Sequence, residues 1–118
     1  MPDHRYPVMI NGVPVVQAPE EIDICNAEQL RIVLLEAGSR GHATVVVDLT
    51  RTRFCDSSGF NVLVGAHKRT QADGGGLRLV IPDGSHVLRT FTVIGLGRFI
   101  PRFGSLDQAL PPGPAAAD

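Results

Sequence analysis

The sequence predicts a single α/β domain with a mostly parallel central sheet. Segments of strand-like composition alternate along the chain with segments of helical periodicity. The run ATVVVDL at 43–49 is apolar and β-branched without alternation, which is typical of a strand covered on both faces. The chain has 118 residues, 43% of them hydrophobic, so it is long enough for one buried core, and it contains no internal repeat.

A β-hairpin is predicted at the start of the chain. The strands VMI at 8–10 and VPVVQ at 13–17 flank Asn11-Gly12, a pair that supplies the positive φ angles of a type I′ turn. Pro14 has no N–H group to donate to a neighbouring strand, which favours an edge position for the second strand.

The first helix is predicted to begin after Asn26. This residue can cap the helix, with Gln29 three residues on, and Gly38 or Gly41 can end it. The apolar positions recur at helical spacing: Ala27, Leu30, Val33, Leu34 and Ala37. The apolar run at 43–49 follows and is the best candidate for the central strand.

Three more helices and two more strands are predicted in the second half of the chain. A second helix begins just after two serines and ends in ADGGG, and its inner face is formed by Phe60, Leu63, Val64 and His67. LRLVI at 77–81 and FIPRF at 99–103 are predicted strands, the latter at an edge. A third helix stops at Gly95, with four residues pointing inward: Val87, Leu88, Phe91 and Ile94. Ser105 caps a short last helix, and the tail at 111–118 is predicted to be disordered.

Composition and charge exclude several classes of protein. The net charge is −1 and aromatic residues make up 5%, which argues against direct nucleic-acid binding. No apolar run approaches the ~18 residues of a membrane span, and the start has no signal-peptide pattern, so a cytoplasmic protein without membrane contact is expected. Cys25 and Cys55 are too few for a disulfide scaffold and lack the CxxC spacing of a zinc site.

The charged residues are segregated along the chain. Acidic residues dominate positions 1–30: Asp3, Glu20, Glu21, Asp23 and Glu28. Basic residues dominate positions 67–102: Lys68, Arg69, Arg78, Arg89, Arg98 and Arg102. A bipolar surface suits a protein partner, although two solvated faces with no partner would give the same pattern.

The stretch FCDSSGFNVL at 54–63 places an acid, two hydroxyls and a glycine where a strand passes into a helix. At such a position, free backbone N–H groups and the positive end of the helix dipole point outward. Three explanations compete: Asp56 or Ser57 caps the helix, a serine is the nucleophile of an enzyme, or a serine is phosphorylated by a kinase.

The patterns of two kinds of enzyme site do not fit this chain. A serine hydrolase would need GxSxG, but Cys55 and Asp56 stand two residues before the serines, and the four histidines are scattered. A phosphoacceptor role for Asp48 would need an acidic pair after the first strand and a lysine at a strand end. Neither is placed correctly, so no catalytic residue, metal site or cofactor is predicted.

From about Val13 to Leu110 the chain resembles the STAS domains, the family of anti-sigma factor antagonists and sulphate-transporter tails. The resemblance is carried jointly by EEID before the first helix, VVVDL, DSSGF, GAHKR, GGGLRLV and FTVIGLGRFIPRFGSLDQAL. It implies one STAS-like domain over residues 1–110, with a four- to five-stranded mixed sheet flanked by about four helices.

The resemblance also implies roles for individual residues. In the family, the serine after the aspartate is phosphorylated by the partner anti-sigma factor, itself a serine kinase, and this position is Ser57 here. The match also implies a partner-binding surface: Asp23, Asp56, Ser58, Gly59, Phe60 and Asn61. The chain departs from the family where Pro19-Glu20-Glu21-Ile22-Asp23 replaces the usual Gly-Glu-Leu-Asp, and where Asn61 replaces a common glycine.

The implied function is that of an anti-sigma factor antagonist and not of an enzyme. The unmodified protein would bind an anti-sigma factor and release a sigma factor, phosphorylation of Ser57 would reverse this, and a serine phosphatase would restore binding. The alternative is a STAS scaffold without phosphorylation, or the soluble subunit of a lipid or anion transport complex. The intact pair Ser57-Ser58 favours the first function.

Overall fold

A computed structural model describes residues 7–39 and 44–112 of the chain. The described residues form seven strands, four α-helices and one 3-10 turn: β1 (Val8–Ile10), β2 (Val13–Gln17), β3 (Glu21–Ile22), α1 (Ala27–Gly38), β4 (Thr44–Asp48), β5 (Phe54–Cys55), α2 (Ser57–Ala72), β6 (Gly76–Val80), α3 (His86–Val93), the 3-10 turn (Leu96–Arg98), β7 (Arg102–Phe103) and α4 (Leu106–Ala109). The predicted single α/β domain is confirmed.

The central sheet has five strands in the order β1-β2-β4-β6-β7. The hairpin pair β1 and β2 is antiparallel, and every following pair is parallel. The sheet is therefore mixed, as expected. The turn between β1 and β2 places Asn11 and Gly12 at φ angles of 51° and 85°, which the predicted Asn-Gly turn requires.

Strand β4 lies at the centre of the sheet, paired with β2 and β6, and both of its faces are buried. Val45 and Val47 contribute to the larger core, which also contains side chains from α1, α2 and α3. Val46 faces the other side of the sheet and packs in a smaller core with Ala109 of α4. Helices on both faces explain why the sequence of this strand does not alternate between apolar and polar residues.

The predicted edge position of β2 is wrong. This strand pairs with β1 on one side and with β4 on the other, so the edge belongs to β1. Pro14 pairs with Met9 of β1. It is tolerated because the ladder between β2 and β4 begins one residue later, at the pair Val15 and Val46. The missing N–H group therefore falls before that ladder starts.

Two smaller expectations about the helices are also wrong. The Asn26 side chain does not cap α1, because its amide donates to the Glu21 carbonyl at 2.7 Å and its oxygen accepts from the Asp23 N–H at 3.0 Å. Ile94 does not point inward, since it follows the last residue of α3 and is 50% exposed. Residue 43 and residues 113–118 of the expected tail lie outside the described part of the chain.

The short strands β3 and β5 form a second, two-stranded parallel sheet that the sequence did not predict. Each contributes two residues, in the register Glu21 with Phe54 and Ile22 with Cys55. Segments this short carry too little periodicity to be recognised, and their pairing joins distant parts of the chain. This small sheet leads directly into α2.

Candidate functional site

The pairing of β3 with β5 brings two aspartates to the entrance of α2. Asp23 follows the last residue of β3, and Asp56 follows the last residue of β5. The strands are parallel and in register, so both aspartates leave at the same end, and the Asp56 N–H donates to the Ile22 carbonyl at 3.0 Å. Two carboxylates that are distant in sequence thus lie near the start of one helix.

The first turn of α2 is held against this sheet by a close contact at Gly59. A Cβ atom at this position would stand 2.5 Å from the Cys55 sulfur and 2.6 Å from a methyl carbon of Ile22. Only a residue without a side chain permits this approach. The sequence shows the glycine but not its neighbours, so this packing role could not be predicted.

Cys55 is a packing residue in this contact. Burial, together with the nearby charge of Asp56, raises the pKa of its thiol to about 12. A thiol that stays protonated at neutral pH is a poor nucleophile. The structure therefore supports the role of a buried, inert cysteine, while Cys25 is exposed.

Asp56 is the residue that caps α2. One of its carboxylate oxygens accepts hydrogen bonds from the backbone N–H groups of Ser58 at 2.8 Å and Gly59 at 3.3 Å. The Ser57 side chain makes no hydrogen bond to any residue in the described part of the chain, and this residue is exposed. Of the two candidate caps, the structure selects the aspartate and leaves the Ser57 hydroxyl free.

The remaining residues of the expected partner surface fall into two groups. Asn61 is exposed, and Asp23 and Ser58 are half-buried, so these three can contact another molecule. Gly59 and Phe60 are buried, and Phe60 is only 4% exposed. In this structure the last two support the surface from beneath, because their side-chain positions face the core.

Two exposed apolar residues beside the site were missed in the sequence. Ile24, which follows Asp23, is 79% exposed, and Phe54 of β5 is 44% exposed. A large apolar residue in a turn was the only available signal for Ile24. We call the group Asp23, Ile24, Phe54, Asp56, Ser57, Ser58 and Asn61 the α2 entrance surface.

The carboxylate of Asp48, at the end of the central strand, is engaged in a local turn. Asp48 accepts a hydrogen bond from the Thr50 N–H at 2.9 Å and a second from the Thr50 hydroxyl, which closes a turn after β4. Across residues 7–39 and 44–112, no group of three His, Cys, Asp or Glu side chains could hold a metal ion. The same part of the chain has no helix with the length and apolar character needed to cross a membrane.

Comparison with known proteins gives one family match and several structural matches. The profile of the STAS domain family matches residues 8–109. No curated protein sequence matches the chain significantly. An anti-sigma factor antagonist from Mycobacterium paratuberculosis has a TM-score of 0.80 at 24% identity, over 89% of this chain and 88% of its own. A candidate anti-sigma factor antagonist from Thermotoga maritima has a TM-score of 0.79 at 20% identity, over 91% of this chain and 92% of its own.

A third similar structure has been solved in two states. The anti-sigma factor antagonist SpoIIAA in its unphosphorylated form has a TM-score of 0.65 at 22% identity, over 86% of this chain and 87% of its own. The phosphorylated form of SpoIIAA from Bacillus has a TM-score of 0.62 at 24% identity, over 86% of this chain and 91% of its own. At these identities the structural matches establish a common fold.

Proposed function

This chain belongs to the STAS domain family, and from that premise we propose that it is a cytoplasmic anti-sigma factor antagonist switched by phosphorylation of Ser57. The unmodified protein binds an anti-sigma factor that is also a serine kinase, which releases a sigma factor for transcription. Phosphate on Ser57 ends this binding, and a serine phosphatase restores it. The STAS domain comprises residues 1–110, and residues 111–118 are a tail outside it.

The observation that carries this proposal is the free, exposed hydroxyl of Ser57 at the first position of α2. A kinase must reach the hydroxyl oxygen, and a serine that capped the helix would have this oxygen engaged with the backbone. Here Asp56 supplies the cap, so modification of Ser57 breaks no hydrogen bond among the described residues. Ser58 is half-buried and therefore less accessible.

The fold is expected to tolerate a phosphate on Ser57. A phosphoserine adds roughly 1.5 to 2 negative charges, and the dipole at a helix N-terminus favours a negative charge by about 0.3 to 1 kcal/mol. The nearby Asp56 carboxylate opposes this gain. Because the two effects have opposite signs and the side chain points into solvent, the net change in the free energy of unfolding is small.

The same phosphate is expected to block docking of the anti-sigma factor. Ile24 and Phe54 expose apolar side chains in the two segments that lead to Asp23 and to the start of α2, and they offer contact area to a partner. A partner covering this surface would bury an added anion at the end of the small sheet where Asp23 and Asp56 already carry like charges. A thousandfold loss of affinity corresponds to about 4 kcal/mol, which one uncompensated buried charge can supply.

The two SpoIIAA structures support the proposal because a protein of the same fold exists in unphosphorylated and phosphorylated forms. The role of the phosphate there is not transferred by fold alone. It is the position and exposure of Ser57 in this chain that make it the candidate acceptor.

The proposal is tested by incubating the full chain with its cognate anti-sigma kinase and ATP, and by mapping the phosphate with mass spectrometry. We expect a single phosphate on Ser57. The matched variants are Ser57→Ala, which should not be labelled, and Ser58→Ala, which should be labelled like the wild type. Phosphate on another residue, or full labelling of Ser57→Ala, would contradict the proposal, and the absence of any labelling would favour a scaffold or transport-complex role.

A further inference from the structure

A buried histidine near the C-terminal end of α2 has no role in the proposed switch. His67 is only 6% exposed, and its Nδ1 atom accepts a hydrogen bond from the Leu77 N–H at 3.0 Å. A neutral imidazole that accepts at one nitrogen carries its proton on the other, so Nε2 is a donor. This Nε2 atom is buried and has no hydrogen-bond partner among the described residues.

The position of the His67 ring is fixed by the edge of the sheet. The Leu79 N–H donates to the Pro101 carbonyl, and the Ile81 N–H donates to the Phe103 carbonyl. The pairing of β6 with β7 begins only at Leu79, so the Leu77 N–H has no partner in β7. His67 takes the place of the missing strand partner. Gly76 makes room for the ring, because a Cβ there would stand 3.0 Å from its Cε1 atom.

The environment keeps this imidazole neutral. Burial lowers the pKa of His67, and the backbone of Phe99 partly offsets this effect without forming a hydrogen bond to Nε2. A buried donor without a partner is destabilising, so an acceptor that reached Nε2 would be bound favourably.

A cavity of about 240 Å³ lies against His67, between α2 and the 3-10 turn. Its apolar wall is formed by Val64, Leu96, Phe99 and Ile100, and its polar groups are His67, Lys68 and Gln71. A dry cavity of roughly 150 Å³ is large enough for benzene. The cavity therefore has room for a small organic molecule with an apolar body.

The charges around this cavity favour an anion. Lys68 is the charged residue in its lining, and no carboxylate belongs to the lining. An adjoining depression of about 390 Å³ shares His67, Gln71 and Phe99, and no carboxylate belongs to its lining. Arg78 also lines this depression, but its guanidinium donates to the Ala109 carbonyl at 2.9 Å and does not face the ligand. A ligand here would meet one hydrogen-bond donor, one ammonium group and no like charge.

The 3-10 turn and the residue that follows it, Phe99, cover the cavity. Phe99 lines both spaces although it is 69% exposed, and it follows the 3-10 turn. Gly95 begins this turn at a φ angle of 80°, a conformation open to glycine at no cost. Because Nε2 is covered in this structure, a ligand must displace the Phe99 segment to reach it.

We infer that the cavity between α2 and the 3-10 turn binds a small organic carboxylate with an apolar body of about the size of benzoate. The carboxylate contacts the Lys68 ammonium group and the Nε2–H of His67, and the apolar body packs on Val64 and Leu96. The site is about 15 Å from Ser57, at 1.5 Å per helical residue, so it is independent of the proposed phosphorylation.

The test is a titration of the full chain with sodium benzoate, followed by two-dimensional NMR of the backbone amides and the imidazole nitrogens. We expect saturable shifts confined to residues 64–71, 76–78 and 95–100, with a change at Nε2 of His67. Benzyl alcohol and benzylamine are the neutral and cationic probes of the same shape, and both should bind more weakly. Shifts that do not saturate, or equal binding of the three probes, would overturn the inference.

Two variants with the same change of charge separate the cavity from the general surface potential. Lys68→Glu should weaken benzoate binding by about tenfold, because it places a like charge at the ligand. Arg69→Glu, an exposed neighbour outside the cavity lining, should change the affinity by less than about twofold. Equal losses in both variants would show nonspecific attraction and would refute the site.

Discussion

The two ends of α2 treat their polar side chains in opposite ways. At the first turn, the Ser57 hydroxyl is exposed and unbonded, while its neighbour Asp56 caps the helix. Ten residues later, the His67 imidazole is buried and bonded at one nitrogen only. The first arrangement offers a group to a large molecule such as a kinase, and the second offers one to a molecule small enough to enter a cavity.

Both ends depend on a glycine that admits a close contact. Gly59 lets α2 approach Cys55 and Ile22, and Gly76 leaves space for the ring of His67. The difference lies in what is brought close. At the first end a backbone contact fixes the helix and leaves the hydroxyl outside, whereas at the second end the functional group itself is fixed inside.

The largest expected effect concerns Ser57, at the exposed first turn of α2. Ser57→Asp should weaken binding to the anti-sigma factor by more than about 100-fold, or about 3 kcal/mol, because it buries a charge beside Asp23 and Asp56. Isothermal titration calorimetry with the purified partner measures this. Ser57→Ala, which adds no charge, should keep binding within about threefold of wild type. If both variants bind the anti-sigma factor equally well, the α2 entrance surface is not the docking site.

The next largest effect tests the glycine at the same end. Gly59→Ala should lower the free energy of unfolding by about 2–3 kcal/mol, because its Cβ would collide with Cys55 and Ile22. Gly65→Ala in the same helix is the control. Its nearest neighbour outside the local backbone is an Arg69 nitrogen at 3.9 Å, so it should gain about 0.5–1 kcal/mol. Urea denaturation compares the two, and equal effects would rule out the proposed contact.

The burial of His67 predicts that the stability of the protein depends on pH. The pKa of His67 is lowered by burial, so the unfolded chain takes up this proton at a higher pH than the folded chain does. The contribution to stability is present above the ordinary pKa of about 6.5 and is lost as the pH falls below it, by at most about 1.4 kcal/mol per pH unit.

This dependence is measured by urea denaturation at a series of pH values between 8 and 5 in the wild type and in two histidine variants. His67→Gln should show a flatter profile than the wild type. His86→Gln removes an exposed histidine at the start of α3 and should leave the profile as it is. A profile flattened only in His86→Gln would show that His67 is not the group responsible.

A smaller effect concerns the helix cap. Asp56→Ala should lower the free energy of unfolding by about 1 kcal/mol, since the Ser58 and Gly59 N–H groups lose their acceptor. Asp56→Asn retains a side-chain oxygen and should lose less. Thermal unfolding followed by circular dichroism measures both, and an unchanged melting temperature in Asp56→Ala would mean that another group caps α2.

The smallest effect is the stability of Ser57→Asp. We expect its free energy of unfolding to stay within about 0.5 kcal/mol of wild type, because the residue is exposed and its hydroxyl has no partner among the described residues. The same circular dichroism melts provide the value. A large loss of stability would show that Ser57 supports the helix and that reduced partner binding reflects partial unfolding.

Much of the fold could be predicted because local patterns and burial agreed. The apolar run around Val45 to Val47 predicts a strand covered on both faces, and Asn11-Gly12 predicts the hairpin turn. The prediction for Pro14 failed because it considered the residue alone. The cost of a missing N–H group depends on where the neighbouring ladder begins, and that is set by a strand distant in sequence.

The sequence located the candidate site but did not decide which of its residues caps α2. DSSG placed an acid and two serines at a helix start, and both residue types can cap a helix. Which of them does so depends on the direction from which the chain enters α2, and the pairing of β3 with β5 sets this direction. The exposure of Ile24 and the contact of Gly59 depend on the same pairing.

The sequence by itself determined the order of the four helices and of the five strands of the central sheet, the central position of β4 and the placement of a serine pair at the start of α2. These features follow from the periodicity of neighbouring residues, which the chain carries locally. Only the tertiary structure decided which oxygen caps the helix, why Gly59 must lack a side chain and where His67 finds its partner. Each of these depends on atoms that are far apart in the chain and that meet only when the sheet and α2 pack together.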